Sequence, residues 1–199
     1  TLLSPALQRL REDGSSEPGG PLSLRDSFFN STPPQLVNDG LEPFLRGLAA
    51  QRAQELDAKV IDDVRNFLFG PPGAGGLDLI ALNVQRGRDM GVPDFNTLRA
   101  DMGLPRKSSF GGITSDAALQ NALSAQYSTV NDIDPFVGLM VESDQPGFIV
   151  GETLRAVLVD QFVRSRDGDR FWYERTLSNS DLAHLKKSTL AQIIRRNTS

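Results

Sequence analysis

Apolar residues recur along this chain at intervals of three and four, and that spacing narrows the possible folds more than any other feature of the sequence. Leu41, Phe44, Leu45 and Leu48 form one stripe, and Val60, Ile61, Val64, Phe67 and Leu68 form another. Ala118, Leu119, Ala122, Leu123 and Tyr127 make a third, and Val150, Leu154, Val157, Leu158, Gln161 and Phe162 the longest. On a helix of about 3.6 residues per turn, each set gathers on one face and leaves the other to solvent. No run of alternating apolar and polar residues is bracketed by hairpin-turn residues, so the expected class is mainly α. The boundaries agree. Gly91 closes a helix expected over Leu79–Met90, Pro93 suits the first position of the next helix, and Gly103 stops it. Ser178-Asn179-Ser180-Asp181 reads as a cap opening a short C-terminal helix. Stretches 13–21, 71–76, 105–113 and 129–135 are rich in Gly, Pro or polar residues and read as connectors. With no internal repeat, the expectation is an irregular helical fold rather than a solenoid or an up-down bundle.

Composition removes several function classes. The chain has no Cys among its 199 residues, so it cannot supply a disulfide, a thiolate metal site, an iron–sulfur cluster or a thiol nucleophile. It has one His, His184, which lies beside Lys186 and Lys187 and reads as a solvated surface residue. A net charge of −4 gives no general attraction for nucleic acid, and no apolar run approaches the roughly 18 residues a membrane span needs.

The densest polar segment is Asn83-Val84-Gln85-Arg86-Gly87-Arg88-Asp89, directly after the apolar Leu77, Leu79, Ile80 and Leu82. On a helix, Asn83, Arg86 and Met90 share a face, with Asp89 beside them. Such a helix can present an amide and a guanidinium to something buried, or it can carry no more than a surface Arg86–Asp89 pair. Spacing alone favours the surface pair. Arg164 to Tyr173 alternates charge around Gly168 and reads as a turn knitted by ion pairs, with Phe171-Trp172-Tyr173 anchoring it to a core. Phe28-Phe29 reads as core. The glycines of 70–76 lack the Lys-Ser/Thr of a phosphate-binding loop and include two prolines.

The segment from Leu82 to Arg99, LNVQRGRDMGVPDFNTLR, resembles the signature helix pair of the animal-type haem peroxidases. The resemblance extends through Pro21–Phe29, Gly40–Leu48, Asn131–Glu142, Val150–Glu174 and Ile193–Thr198, which covers nearly the whole chain. It implies a mainly α, irregular haem peroxidase fold and an enzyme that uses hydrogen peroxide to oxidise halides, phenols or other small donors. The implied cofactor is haem b, covalently linked in some members.

Residue by residue, the resemblance makes Asn83 the acceptor for the ring N–H of the proximal His, so that it orients the imidazole and raises its basicity. It makes Arg86 the partner of a haem propionate, to which a guanidinium fork is suited. Leu77, Leu79 and Leu82 correspond to residues walling the haem, and Phe28 and Phe29 to an aromatic pair on the proximal side. The odds on Asn83 and Arg86 then turn toward function.

The family's proximal His, distal His, distal Arg, haem-esterifying carboxylates and calcium loop all precede the segment that matches Thr1. Residues 1–199 are thus expected to be the C-terminal half of a peroxidase catalytic domain, with no catalytic residue of their own and the upstream half as partner. No nucleic acid and no membrane span are expected, and family resemblance points to a secreted or extracellular setting. Met90 and Met102 replace the usual His and a frequent Cys, and Arg195-Arg196 the usual Cys-Asp, which suggests a microbial member without those disulfides. Within the same fold, a fatty-acid dioxygenase or cyclooxygenase-like enzyme and a non-enzymatic peroxidase-like binding module are the alternatives.

Overall fold

The computed structural model describes residues 2–28, 30, 34–67, 70 and 77–197. Phe29, Leu68 and the connector 71–76 lie outside the described residues, and the side chain of Phe28 is likewise not described. The chain divides into two compact units.

One unit comprises Ser4–Ala53 and Val163–Ser199. It opens on a ribbon the sequence pattern does not reveal. Strands β1 (Ala6–Leu7) and β2 (Leu22–Ser23) pair antiparallel, Ala6 opposite Ser23 and Leu7 opposite Leu22. Two residues per strand are too few to print an alternation. Helices α1 (Leu24–Phe28), α2 (Pro34–Asp39) and α3 (Glu42–Ala50) follow; α3 forms where expected and buries Phe44, while Leu41 and Leu48 of its stripe are exposed. A Cβ on Gly47 would lie 1.8 Å from the Gln8 carbonyl oxygen, so only glycine permits α3 to approach β1 this closely.

The other unit comprises Thr1–Leu3 and Gln54–Phe162. It holds α4 (Asp62–Arg65), α5 (Leu79–Asp89), α6 (Phe95–Asp101), α7 (Phe110–Ile113), α8 (Ala117–Gln126) and α9 (Pro135–Val141). Helix α10 (Glu152–Gly168) contributes residues to both units. The core here is Phe95, Ile113, Leu123, Val130, Ile133 and Val141, with Phe110, Leu119, Tyr127, Val137 and Leu139 packed against it. The remaining helices, α11 (Tyr173–Thr176), α12 (Asn179–Leu185) and α13 (Leu190–Asn197), belong to the first unit. Among the described residues, helices dominate and no helix is long and apolar enough to cross a membrane.

Several expectations are corrected. Among the described residues of the stripe Val60–Leu68, only the single turn α4 is helical, and Val60 lines a cavity instead. Pro93 stands before the helix rather than in it: Asp94 is the cap of α6, its carboxylate accepting from the Thr97 N–H at 2.9 Å. The connector at 105–113 ends in α7, which Ser109 caps by accepting from the Gly112 N–H. Helix α10 runs through Gly168, so the turn falls at 169–172, where Arg175 donates to the Asp169 carbonyl at 3.0 Å. Phe171 is 68% exposed with Arg170 over its ring, and does not anchor a core. The expected stops at Gly91 and Gly103 hold, with φ of 68° and 74°. Ser178 caps α12 as expected.

Candidate functional site

Helix α5 starts where Asp78 turns its carboxylate onto the N–H groups of Ile80, at 2.8 Å, and Ala81, at 3.1 Å. It stops at Gly91, past which the Val92 N–H returns to the Gly87 carbonyl at 2.9 Å. None of its residues is fully buried. The helix nevertheless forms one wall of a cavity of about 410 Å³, to which it contributes Leu79, Ile80 and Asn83. Phe136, Val137, Met140 and Val141 of α9 also line it, as do Leu56, Asp57, Ala58 and Val60 of the non-helical segment that precedes α4. Apart from Asp57 and Asn83, this lining is apolar.

Asn83 is half-buried, and its Oδ1 accepts a hydrogen bond from Nη2 of Arg86, one turn along the helix. An amide oxygen has two lone pairs, so a second donor can still be accommodated. Arg86 is exposed. Asp89 takes its hydrogen bond from Gln85 Nε2 at 2.7 Å, so the Asn83–Arg86 pairing replaces the expected Arg86–Asp89 contact. Among the apolar candidates, Leu79 faces the cavity with Asn83. Leu77 and Leu82 are 42% and 41% exposed and do not line it. His184 is exposed on α12. Among the described residues no cluster of His, Cys, Asp or Glu could hold a metal ion.

Two polar clusters hold the cavity walls, and local sequence gives no hint of either. Asp134, which immediately precedes α9, accepts from Arg88 through both oxygens: Nε to Oδ1 at 2.8 Å and Nη2 to Oδ2 at 2.7 Å. Oδ2 also accepts from the Tyr127 hydroxyl at 2.8 Å. The Arg88 contact, then that of Tyr127, holds the Asp134 carboxyl below the usual carboxylate range. Burial, then donation to Asp134, pushes Tyr127 up to about 12.

At the other end of α9, Glu142 and Arg99 form a buried pair at 2.5 Å, with side-chain exposures of 3% and 0%. Arg99 also donates to Thr153 Oγ1 at 2.6 Å, Glu152 Oε2 at 2.7 Å and the Pro105 carbonyl at 2.8 Å, so four acceptors share the buried guanidinium. Arg99 lowers the Glu152 pKa. Asn96, also fully buried, bridges Asn131 Oδ1 and the Lys107 backbone, which ties α6 to the segment leading into α9. The sequence signal for these roles was that Arg88, Asn96 and Arg99, Asn131, Asp134 and Glu142, and Glu152 and Thr153 fall inside matching motifs, which named positions without naming partners.

Residues 1–199 match the family model described as animal haem peroxidase across their whole length. The chain belongs to the animal haem peroxidase family. Relatives of this chain include peroxinectin A of Dictyostelium discoideum, 43% identical over 179 residues, 90% of this chain and 33% of the relative. Mouse myeloperoxidase is 38% identical over 208 residues, 100% of this chain and 29% of the relative. The solved structure of peroxidase A from Dictyostelium discoideum superposes with a TM-score of 0.88 at 39% identity, over 100% of this chain and 38% of that one. The rice fatty acid alpha-dioxygenase, with TM-score 0.77 at 24% identity, shares the fold. The peroxidase chain thus spans about a third of the length of the relatives it matches.

Proposed function

We propose that this chain is the C-terminal part of a peroxidase catalytic domain and forms the proximal wall of its haem pocket, in an enzyme that oxidises small donors with hydrogen peroxide. The observation that carries the reading is Asn83, an amide on the wall of an otherwise largely apolar cavity, one helical turn from a guanidinium. This donor set fits one face of a flat apolar macrocycle with carboxylate substituents. Leu79 and Ile80 of α5, and Phe136 and Met140 of α9, supply apolar surface. Asn83 supplies the acceptor for an imidazole N–H, and Arg86 a fork for a propionate.

Bound haem supplies the redox centre through which peroxide is reduced and a donor oxidised. The contribution of this chain is positional. Asn83 Oδ1 would accept from the ring N–H of an imidazole that ligates the iron, and so fix its tautomer and plane. An amide accepts more weakly than a carboxylate, so the imidazole keeps neutral character. The apolar lining excludes water from that bond. The ligating His would come from the upstream part of the domain, since the one His here, His184, is exposed on α12. Haem b and an extracellular setting belong to the same reading, by family resemblance. The names of the relatives at 38–43% identity support peroxidase over dioxygenase chemistry.

The test is Asn83→Ala in the intact protein. Haem retention or turnover is expected to fall roughly 10–100-fold, the usual effect of removing such an orienting partner. The Soret band is expected to shift. Unchanged retention, spectrum and turnover would overturn the assignment.

A further inference from the structure

Four aspartates in the described residues stand at helix N-caps: Asp78, Asp94, Asp116 and Asp134. The first three turn the carboxylate onto their own helix, as an N-cap aspartate ordinarily does. Asp134 makes no such bond. Both of its oxygens are committed elsewhere, to Arg88 of α5 and to Tyr127.

The exception matters because of where Arg88 lies. Among the described residues helix α5 has no fully buried side chain, so packing within residues 1–199 does little to lock its position along or about its axis. The Asp78 cap is local to the helix and cannot lock it either. A two-point fork can: two parallel N–H···O bonds fix a guanidinium in plane and in rotation, where a single contact leaves both free. Arg88 lies five residues beyond Asn83, about 7.5 Å along the same rigid rod. The residue that receives the fork is the one from which α9, the opposite cavity wall, departs.

We infer that Asp134 is a positioning residue for Asn83: by gripping Arg88 it sets the register of α5 against α9, and so the direction in which the Asn83 amide faces the pocket. Tyr127, packed on the core, holds the carboxylate from behind so that the fork has a fixed target. Arg88 is 59% exposed, so water screens the attraction, and the pair matters for its geometry more than its strength. The inference rests on the role proposed above for Asn83.

The test uses the intact, haem-loaded protein and three variants: Asn83→Ala, Asp134→Asn and Arg88→Met. Two quantities are read: the iron–imidazole stretching frequency of the ferrous form by resonance Raman, and amide hydrogen exchange in the haem-free protein. The stretch reports the hydrogen bond to the axial imidazole and is not moved by loss of stability alone. It is expected to move in the same direction in all three variants. Exchange along 84–90 is expected to rise about tenfold in Asp134→Asn and Arg88→Met while α6 exchanges as before. A stretch that moves in Asn83→Ala but stays put in the other two overturns the positioning role and leaves the role of Asn83 intact. A stretch unmoved even in Asn83→Ala overturns both. Unchanged exchange along 84–90 overturns the positioning role independently of haem.

Discussion

The contact between α6 and α9 is tight enough to be tested with one methyl group. Gly138 lies at the middle of α9 against the fully buried ring of Phe95. A Cβ built on Gly138 would stand 2.3 Å from both Cγ and Cδ2 of that ring and 2.8 Å from its Cβ. Carbon atoms rest at about 3.5–4.0 Å, so Gly138→Ala demands more than about 1 Å of separation between the helices. The ring cannot yield, because Ile113, Leu123 and Ile133 share the same core. Helix α9 must therefore move, and its movement has two readable consequences. Overpacking of this kind costs about 1–3 kcal/mol, measurable as a lower urea midpoint for the intact protein. The displaced helix also carries Phe136 and Met140 into the cavity, so haem dissociation should quicken several-fold. Adding Phe95→Leu, which removes the clashing ring edge, should restore the dissociation rate even though it leaves a cavity of its own. A Gly138→Ala protein with wild-type midpoint and wild-type haem retention would refute the packing described.

Two further outcomes are expected. Arg99→Met should cost about 3–5 kcal/mol, because it strands the buried Glu142 carboxylate; adding Glu142→Leu should recover a large part of that loss in the same denaturation assay, and simple additivity would contradict a coupled pair. The Asp134–Tyr127 contact should give stability two pH limits. A carboxyl held below its ordinary value of about 3.9 contributes fully above that pH and loses its contribution as pH falls through the lowered value. A phenol raised from about 10 to about 12 contributes fully below pH 10 and loses it between the two. Tyr127→Phe should abolish the alkaline component of a pH series of urea midpoints and only diminish the acid one, which the Arg88 contact chiefly sets; a series unaltered at high pH would contradict the hydrogen bond.

What the sequence shows in advance follows a simple physical division. Periodicity reports a helix, so α3, α8 and α10 were readable, as was the Asn83–Arg86 face of α5, although Leu41 and Leu48 of the first stripe and Leu158 and Phe162 of the last are exposed. Glycine stops were readable because positive φ is nearly a glycine property. Val60 was misplaced because an apolar residue turned into a cavity looks the same in sequence as one on a helix stripe. Phe171 was misplaced because nothing local says whether an aromatic finds a core. The ties that hold the site were invisible for a different reason. Arg88 and Asp134 lie 46 residues apart, and Arg99 finds its side-chain partners 43 to 54 residues on, so no window of sequence contains both halves of either bond. Asn83 and Arg86 were singled out by family resemblance; the structure adds that the amide lines a cavity and already holds the guanidinium.

Helix α9 is capped at one end by Asp134 and at the other by Glu142, and both carboxylates are spent on arginines, Arg88 of α5 and Arg99 of α6. Such a helix resembles a rung bolted at its ends. Its middle does two jobs: Gly138 packs inward on the core, Val137 and Val141 pack on the core and line the cavity as well, and Phe136 and Met140, one turn apart, meet the cavity and are not part of that core. Frame and lining therefore overlap at Val137 and Val141 and separate at Phe136 and Met140. Natural variation or laboratory engineering can reshape the pocket at positions 136 and 140 without loosening the bolts. The same freedom does not extend to the acidic residues at either end, where a change would move every residue between them at once.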